Sequence, residues 1–193
     1  MMNQSEYSAQ LLDTVFGIGE FSVPSNCRAC RIVDYQFTDN GDQSKASAKF
    51  SAPPDIGLPT KIDYEKWLAF VVLAERERRR AGAEQIPSAV KFSAEEMMEV
   101  LGAPKRGEVY EEISSWGRRL ASISITLRQT TPTTSSEGIF LFFSRFRGAG
   151  CIDAENDRRE ERFEAFIEDW LRDYVSDHYD IALNFSGQNP KLP

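Results

Sequence analysis

An α+β fold is predicted for residues 57–148 by three observations. Apolar residues recur at helical spacing in three separate stretches. A single short strand separates the first stretch from the second. Two β-patterned stretches around a polar loop then close the run. The order helix, strand, helix, helix, β-wing is that of a winged helix. The chain divides accordingly into an N-terminal extension with short strands and a linker (1–57), a winged-helix domain (58–150), and an acidic C-terminal helix/strand segment packing on the same domain (151–193).

Residues 1–20 hold a short apolar helical pattern around Leu11, Leu12 and Val15, ended by the Gly17–Gly19 break. From Phe21 to Phe37 the residues favour strands, with Val23, Ile32, Val33, Tyr35 and Phe37 near alternation. Residues 38–57 are rich in Asp, Asn, Gly, Ser, Ala and Pro and read as a loop or linker.

The first helix of the main domain follows Pro59 and Thr60. Tyr64, Trp67, Leu68, Val71 and Val72 share one face, and Ala81-Gly82 ends it. Trp67 and Phe70 are expected in the core, and the charge run 75–80 at a solvated helix end. Val90-Lys91-Phe92 makes the short strand. Ser93 and Glu96 form a capping box at the start of the second helix, and Phe92 before the cap staples onto Met97. Ala94, Met97, Met98 and Leu101 follow at helical spacing until Gly102 and Pro104 stop it.

The third helix is predicted over 107–122, with Tyr110, Ile113, Trp116 and Leu120 facing inward and Val109 and Gly117 at the margin. Gly117 is expected to admit a neighbouring helix, at about 1 kcal/mol of helix propensity. Ile123, Ile125 and Leu127 then alternate with Ser124, Thr126 and Arg128. A polar loop (129–138) leads to a second strand from Ile139 to Arg147, and these two strands are read as the wing. Residues 148–161 are polar and charged. The segment 162–185 fits two patterns: Arg162–Glu168 as a third wing strand, or one continuous amphipathic helix through Tyr174, and we read a short strand feeding a helix near Asp169–Asp177. Tyr179–Phe185 reads as a final strand.

Composition limits function. With 41% hydrophobic residues the chain is globular. It has no run of eighteen apolar residues, so no membrane span is expected. Its first residues lack a secretion signal, so the cytoplasm is the expected compartment. Cys27 and Cys30 make one CxxC, Cys151 stands alone, and His178 is the only histidine. Strand-like residues on both sides of the CxxC argue against a redox motif, and reduced structural thiols are expected, with no metal. No phosphate-binding GxxxxGK[ST], GxSxG or HExxH occurs. A single histidine removes most acid–base and metal schemes, so the chain is expected to be no enzyme and to need no cofactor.

Net charge is −7, against the needs of a DNA binder, which neutralises phosphates with clustered Lys and Arg. Its distribution is uneven. Residues 1–58 carry −3 and 151–193 carry −6, whereas 104–150 carry +3, where the third helix and the loop lie. A helix set in the major groove reaches base edges with side chains near its start. Lys105, Arg106, Ser114, Ser115 and Arg118 meet that need, with Arg bidentate to guanine as one readout. Arg128 and the loop residues Thr131, Thr133 and Thr134 are candidates for phosphate contact. Glu108, Glu111 and Glu112 oppose it and fit a helix docked on a protein partner instead.

The run Gly57-Leu58-Pro59-Thr60…Asp63, Phe92-Ser93…Met97-Met98…Leu101-Gly102, Tyr110…Ile113…Arg119-Leu120 resembles plasmid replication initiators of the RepA-like class. Their first winged helix carries a GxPTxxD…FS…LLxxxG…Y…L…RL pattern. The resemblance is best over 60–147 and departs from the pattern at Trp116-Gly117, where a Ser-Leu pair is usual. It implies binding to repeats in double-stranded DNA at a replication origin, self-association as a homodimer, and recruitment of host replication proteins. A winged-helix adaptor that binds protein without DNA, and a winged-helix transcriptional regulator, stay open as alternatives.

Overall fold

The computed structural model describes residues 30–39, 42–104, 109–130, 135–153 and 158–177 of the 193. The helix expected around Leu11, the strand positions Phe21 and Val23, Cys27 and the strand expected at 179–185 lie outside the described residues.

The first two strands, β1 (Cys30–Asp39) and β2 (Asp42–Ser51), form an antiparallel pair. The linker expected at 38–57 is therefore corrected, because β2 occupies much of it. Its Ser- and Ala-rich sequence carries little strand signal. It is held as a central strand by pairing on both sides, with β1 and with β4 (Ser124–Thr130), while Ala48 and Phe50 fill the core. Strand β5 (Ser135–Leu141) completes a four-stranded sheet in the order β1-β2-β4-β5.

Between β2 and β4 run α1 (Lys61–Ala81), β3 (Ala89–Ser93), α2 (Ala94–Leu101) and α3 (Val109–Ala121). Helix α1 is capped by Thr60, whose N–H donates to Asp63 Oδ2 at 2.7 Å. Helix α2 has the expected capping box. Ser93 Oγ accepts from Glu96 N at 3.1 Å, and Glu96 Oε2 accepts from Ser93 N at 2.8 Å. Both helices end on a left-handed glycine, Gly82 and Gly102, a conformation that costs other residues strain. The charge run at the end of α1 is an ion-pair ladder. Buried Glu75 takes two hydrogen bonds of 2.6 Å from Arg78 and one of 2.8 Å from Arg79.

The second sheet changes the expected wing. Strand β6 (Arg145–Asp153) and strand β7 (Arg158–Phe166) form a hairpin, and β3 pairs with β7, giving the order β3-β7-β6. This hairpin follows the three helices and shares a sheet with the strand between α1 and α2, so it is the wing of the winged helix. The stretch read as the wing, 123–147, instead divides. Its first part is the β4–β5 hairpin of the other sheet, and only its end enters β6. The expected single strand from Ile139 to Arg147 breaks at 142–144 because Phe142 and Phe143 both turn into the core, which a flat strand with alternating sides cannot do. The polar stretch 148–161 lies largely in β6 and β7.

Phe142 and Phe143 join the layers. Trp67 of α1 meets Phe142 edge-on at 4.9 Å, Phe70 lies 5.2 Å from Phe143, and Trp116 of α3 meets Phe143 edge-on at 5.7 Å. Full burial of one such ring contributes on the order of 2–3 kcal/mol. Strand β7 leads, as expected, into α4 (Asp169–Asp177), which buries Leu171 and Val175. Arg172 anchors α4 by donating from Nε to the Ile86 carbonyl at 2.6 Å.

Candidate nucleic-acid interface

Helix α3 is amphipathic, and three separate contacts fix its orientation. At its centre Trp116 is 1% exposed and donates from Nε1 to the Asp63 carbonyl at 3.1 Å. One turn on, Arg119 Nη1 donates to both carboxylate oxygens of Asp63, at 2.8 and 2.6 Å. Asp63 itself is 4% exposed and also accepts from Thr60 Oγ1 at 2.9 Å. The Thr60, Asp63 and Arg119 positions of the initiator-like pattern are thus one polar hub around the buried Asp63 carboxylate, tying the start of α1 to the end of α3. Their polar groups are spent on one another, and they position α3.

The second contact is at Gly117. A Cβ there would stand 2.2–2.4 Å from atoms of the Phe146 ring of β6, so the ring lies where it does only against a glycine. The neighbour expected at Gly117 was a helix; it is the strand β6, because the wing hairpin lies against this flank. The third contact stacks Tyr110 on Phe163 of β7 at 5.1 Å, with Phe146 on the same ring at 5.5 Å. Helix α3 and the wing are therefore packed as one aromatic layer.

What α3 leaves outside is its Ser115 and Arg118 side, with Ser114 half-buried beside them. Arg118 has no ion-pair partner among the described residues. Glu111 and Glu112 are also exposed on α3, and Glu112 lies 3.9 Å from Lys66 of α1. Of the other residues predicted to contact DNA, Arg128 is on β4, in the four-stranded sheet, where it is ion-paired with Glu137 across the β4–β5 hairpin. It does not join α3. Lys105, Arg106, Thr131, Thr133 and Thr134 lie outside the described residues.

A second cationic surface escaped the reading of the sequence. On β6, Phe146 points to α3, so its neighbours Arg145 and Arg147 point to solvent. In register with them on β7 are Phe166 and Glu164, and Lys91 of β3 lies beyond Glu164. Arg145 and Arg147 sit over the Phe166 ring, 4.3 and 5.5 Å from its centroid. Arg147 is 3.9 Å from Glu164, a loose pairing. Lys91 is exposed and has no ion pair among the described residues. An open groove of about 680 Å³ crosses this face, lined by Arg80, Lys91, Arg147 and Arg162, with Glu96 and Glu164 as its carboxylates. Arg80 bridges Glu77 and Glu96, each at 3.0 Å. Burial works to raise the Glu96 pKa, but the Ser93 N–H and Arg80 outweigh it and hold the carboxyl below its usual range. The alternation Arg145-Phe146-Arg147 carried a signal of this face, but only strand pairing brings Lys91 alongside it.

Among the described residues there is no group of three or more potential metal ligands, and no helix is long and apolar enough to cross a membrane.

These elements define a winged-helix protein with a second, four-stranded sheet. No family model matches the chain, and no curated protein matches it by sequence. Solved structures do match. A crystal structure of domains 2 and 3 of RctB superposes with a TM-score of 0.62 at 11% identity, covering 96% of this chain and 69% of that one. A second structure of RctB domains 2–3 gives 0.55 at 11% identity, with 88% and 60% covered. The WH1 domain of MSBI1.176, a replication protein isolated from a multiple sclerosis patient, gives 0.43 at 13% identity, covering 61% of this chain and 82% of that domain. The chain thus shares its fold with the RctB domains while spanning 60–69% of their length.

Proposed function

We propose that this chain is a non-catalytic, winged-helix DNA-binding protein of the replication initiator type, which recognises duplex repeats at an origin, self-associates and engages host replication proteins. The observation that carries the reading is the presentation of Ser114, Ser115 and Arg118 on the solvent side of a helix whose other sides are fixed by Asp63, Phe146 and Phe163. A groove-reading helix needs such rigid backing, because base-edge hydrogen bonds tolerate little displacement. The initiator-like pattern from Gly57 to Leu120 supports the replication reading, and the fold shared with RctB domains 2 and 3 is consistent with it. A second reading, an adaptor whose α3 docks a protein, is favoured by exposed Glu111 and Glu112, which repel phosphate.

Fluorescence anisotropy with the DNA upstream of the chain's own gene and with a scrambled duplex, at two salt concentrations, separates them. Tighter binding to the native DNA, weakened by salt, is expected. Arg118→Glu should then reduce the preference for that DNA by about tenfold or more while leaving the fold intact, the scale of one base-reading hydrogen-bond pair. Absence of binding to either duplex at low salt would favour the adaptor.

A further inference from the structure

We infer that the solvent face of the β3-β7-β6 sheet is a second, sequence-independent grip on the nucleic-acid backbone, separate from the face of α3. The inference rests on the DNA-binding reading above and names a surface that reading does not use. Its ligand is the phosphodiester backbone, and Lys91, Arg145, Arg147 and Arg162 are the groups that meet it.

Four observations carry it. The chain as a whole is acidic at −7, yet on this sheet face Lys91, Arg145, Arg147 and Arg162 stand beside one described carboxylate of the sheet, Glu164, with Glu96 of α2 at the groove's edge already engaged by Arg80. A surface of that sign on a chain of the other sign concentrates phosphate locally despite the net charge. Three of these cations are also available. Lys91 has no ion pair among the described residues, and Arg147 is only loosely paired. Arg145 lies over Phe166, 4.3 Å from the ring centroid, and no described carboxylate pairs with it. The face has a shape as well as a charge, an open groove of about 680 Å³ running toward Arg80 at the end of α1.

The fourth observation is continuity. Strand β6 is an edge strand and packs against α3 at Gly117. Phe146 projects from it toward Gly117, and Arg145 and Arg147 project from it to the opposite side. The reading helix and the cationic sheet therefore meet along one strand. Long cations of this kind neutralise phosphates without reading sequence, whereas base edges are read by amides and short polar side chains as well as by bidentate arginine.

The test uses the full chain with Lys91→Gln and Arg147→Gln combined, measured by anisotropy on the native and the scrambled duplex over a salt series. Both side chains are exposed, and an unchanged thermal midpoint checks the fold; Lys91→Gln alone serves if the pair unfolds. We expect affinity to fall by roughly tenfold on both duplexes alike, with the log–log salt slope reduced by about 0.9 for each phosphate that is no longer neutralised. Arg118→Glu, run in parallel, should instead change the ratio between the duplexes. Wild-type binding with unchanged affinity and slope in the sheet variant overturns this inference and leaves the DNA-binding reading standing. A loss confined to the native duplex overturns it too, since the face would then read sequence. A wild-type chain that binds neither duplex overturns both.

Discussion

At Gly117 the nearest ring atoms of Phe146 occupy the space that a Cβ would need, so a larger residue there must displace the ring. Gly117→Ala should gain up to about 1 kcal/mol in helix propensity but lose about 1–3 kcal/mol to overpacking. A net destabilisation of about 1–2 kcal/mol is expected in urea unfolding followed by tryptophan fluorescence. Combining it with Phe146→Leu should cost less than the two changes added, because the smaller side chain relieves the clash. Additive costs would show that the ring is not the obstacle. Asp63 makes a different demand. Its carboxylate meets Arg119, Thr60 N and Thr60 Oγ1 in a nearly closed site, and Arg119 Nε is buried there without a partner among the described residues. Asp63→Asn keeps an acceptor for Thr60 but removes the charge opposite Arg119. Breaking a fully buried pair costs about 3–5 kcal/mol, and Arg119 is partly open to solvent, so about 2–3 kcal/mol is expected. A cost below about 0.5 kcal/mol, the level of an exposed pair, would remove Asp63 from the role of hub.

Helices α1 and α2 are joined by charge at their adjacent ends, and this makes them sensitive to acid. The Arg78 hydrogen bonds lead in holding the Glu75 carboxyl below its ordinary value of 4.5, against the opposing effect of burial. Glu96 is held low by the Ser93 N–H and Arg80 against its own burial. Both groups therefore have folded pKa values below their unfolded ones. Their stabilising effect is full above the unfolded value and is lost as pH falls through the depressed folded values, because the unfolded chain takes up protons first. Urea midpoints should be flat from neutral pH to about 5 and fall below about 4.5. Glu75→Gln should lower the neutral-pH midpoint and flatten the acid slope. An acid slope identical in wild type and Glu75→Gln would show that this carboxylate does not govern it. At this scale the sequence was informative. The caps at Thr60, Ser93, Gly82 and Gly102, the α3 stripe and the strand feeding α4 depend on neighbours three or four residues away, and all could be read locally.

Across the whole molecule, the two sheets share one core through Phe142 and Phe143, and this decides how the candidate interface is built. The chain leaves α3, forms the β4–β5 hairpin beside the N-terminal strands, and returns through the buried Phe142-Phe143 step to make the wing. The residues chosen from sequence as one docking surface consequently part company: Arg128 goes to the four-stranded sheet, whereas Ser114, Ser115 and Arg118 stay on α3. The wing contributes cations from β6 and β7 that lay, in sequence, at a strand end and at the start of the strand-or-helix segment. The charge argument survives at this scale in altered form. The positive surface on an acidic chain is assembled from β3, β6 and β7, and β3 is separated from the other two by α2, α3 and the β4–β5 hairpin.

The sequence by itself determined the helices, their caps, the winged-helix class and the inward stripe of α3, because these follow from periodicity and short-range hydrogen bonding. It also marked Thr60, Asp63 and Arg119, though as a pattern without a reason. Only the tertiary structure decided which hairpin is the wing, why β2 is a strand at all, and that Lys91 stands in line with Arg147 across β7. Strand pairing is a backbone interaction between distant segments, nearly blind to which Ser or Ala lies on the strand. A continuous apolar run such as Ile139–Phe143 likewise carries no mark of where the chain leaves one sheet for another. Register and sheet membership are set by which segments the shared core brings together, and that information is not local to any of them.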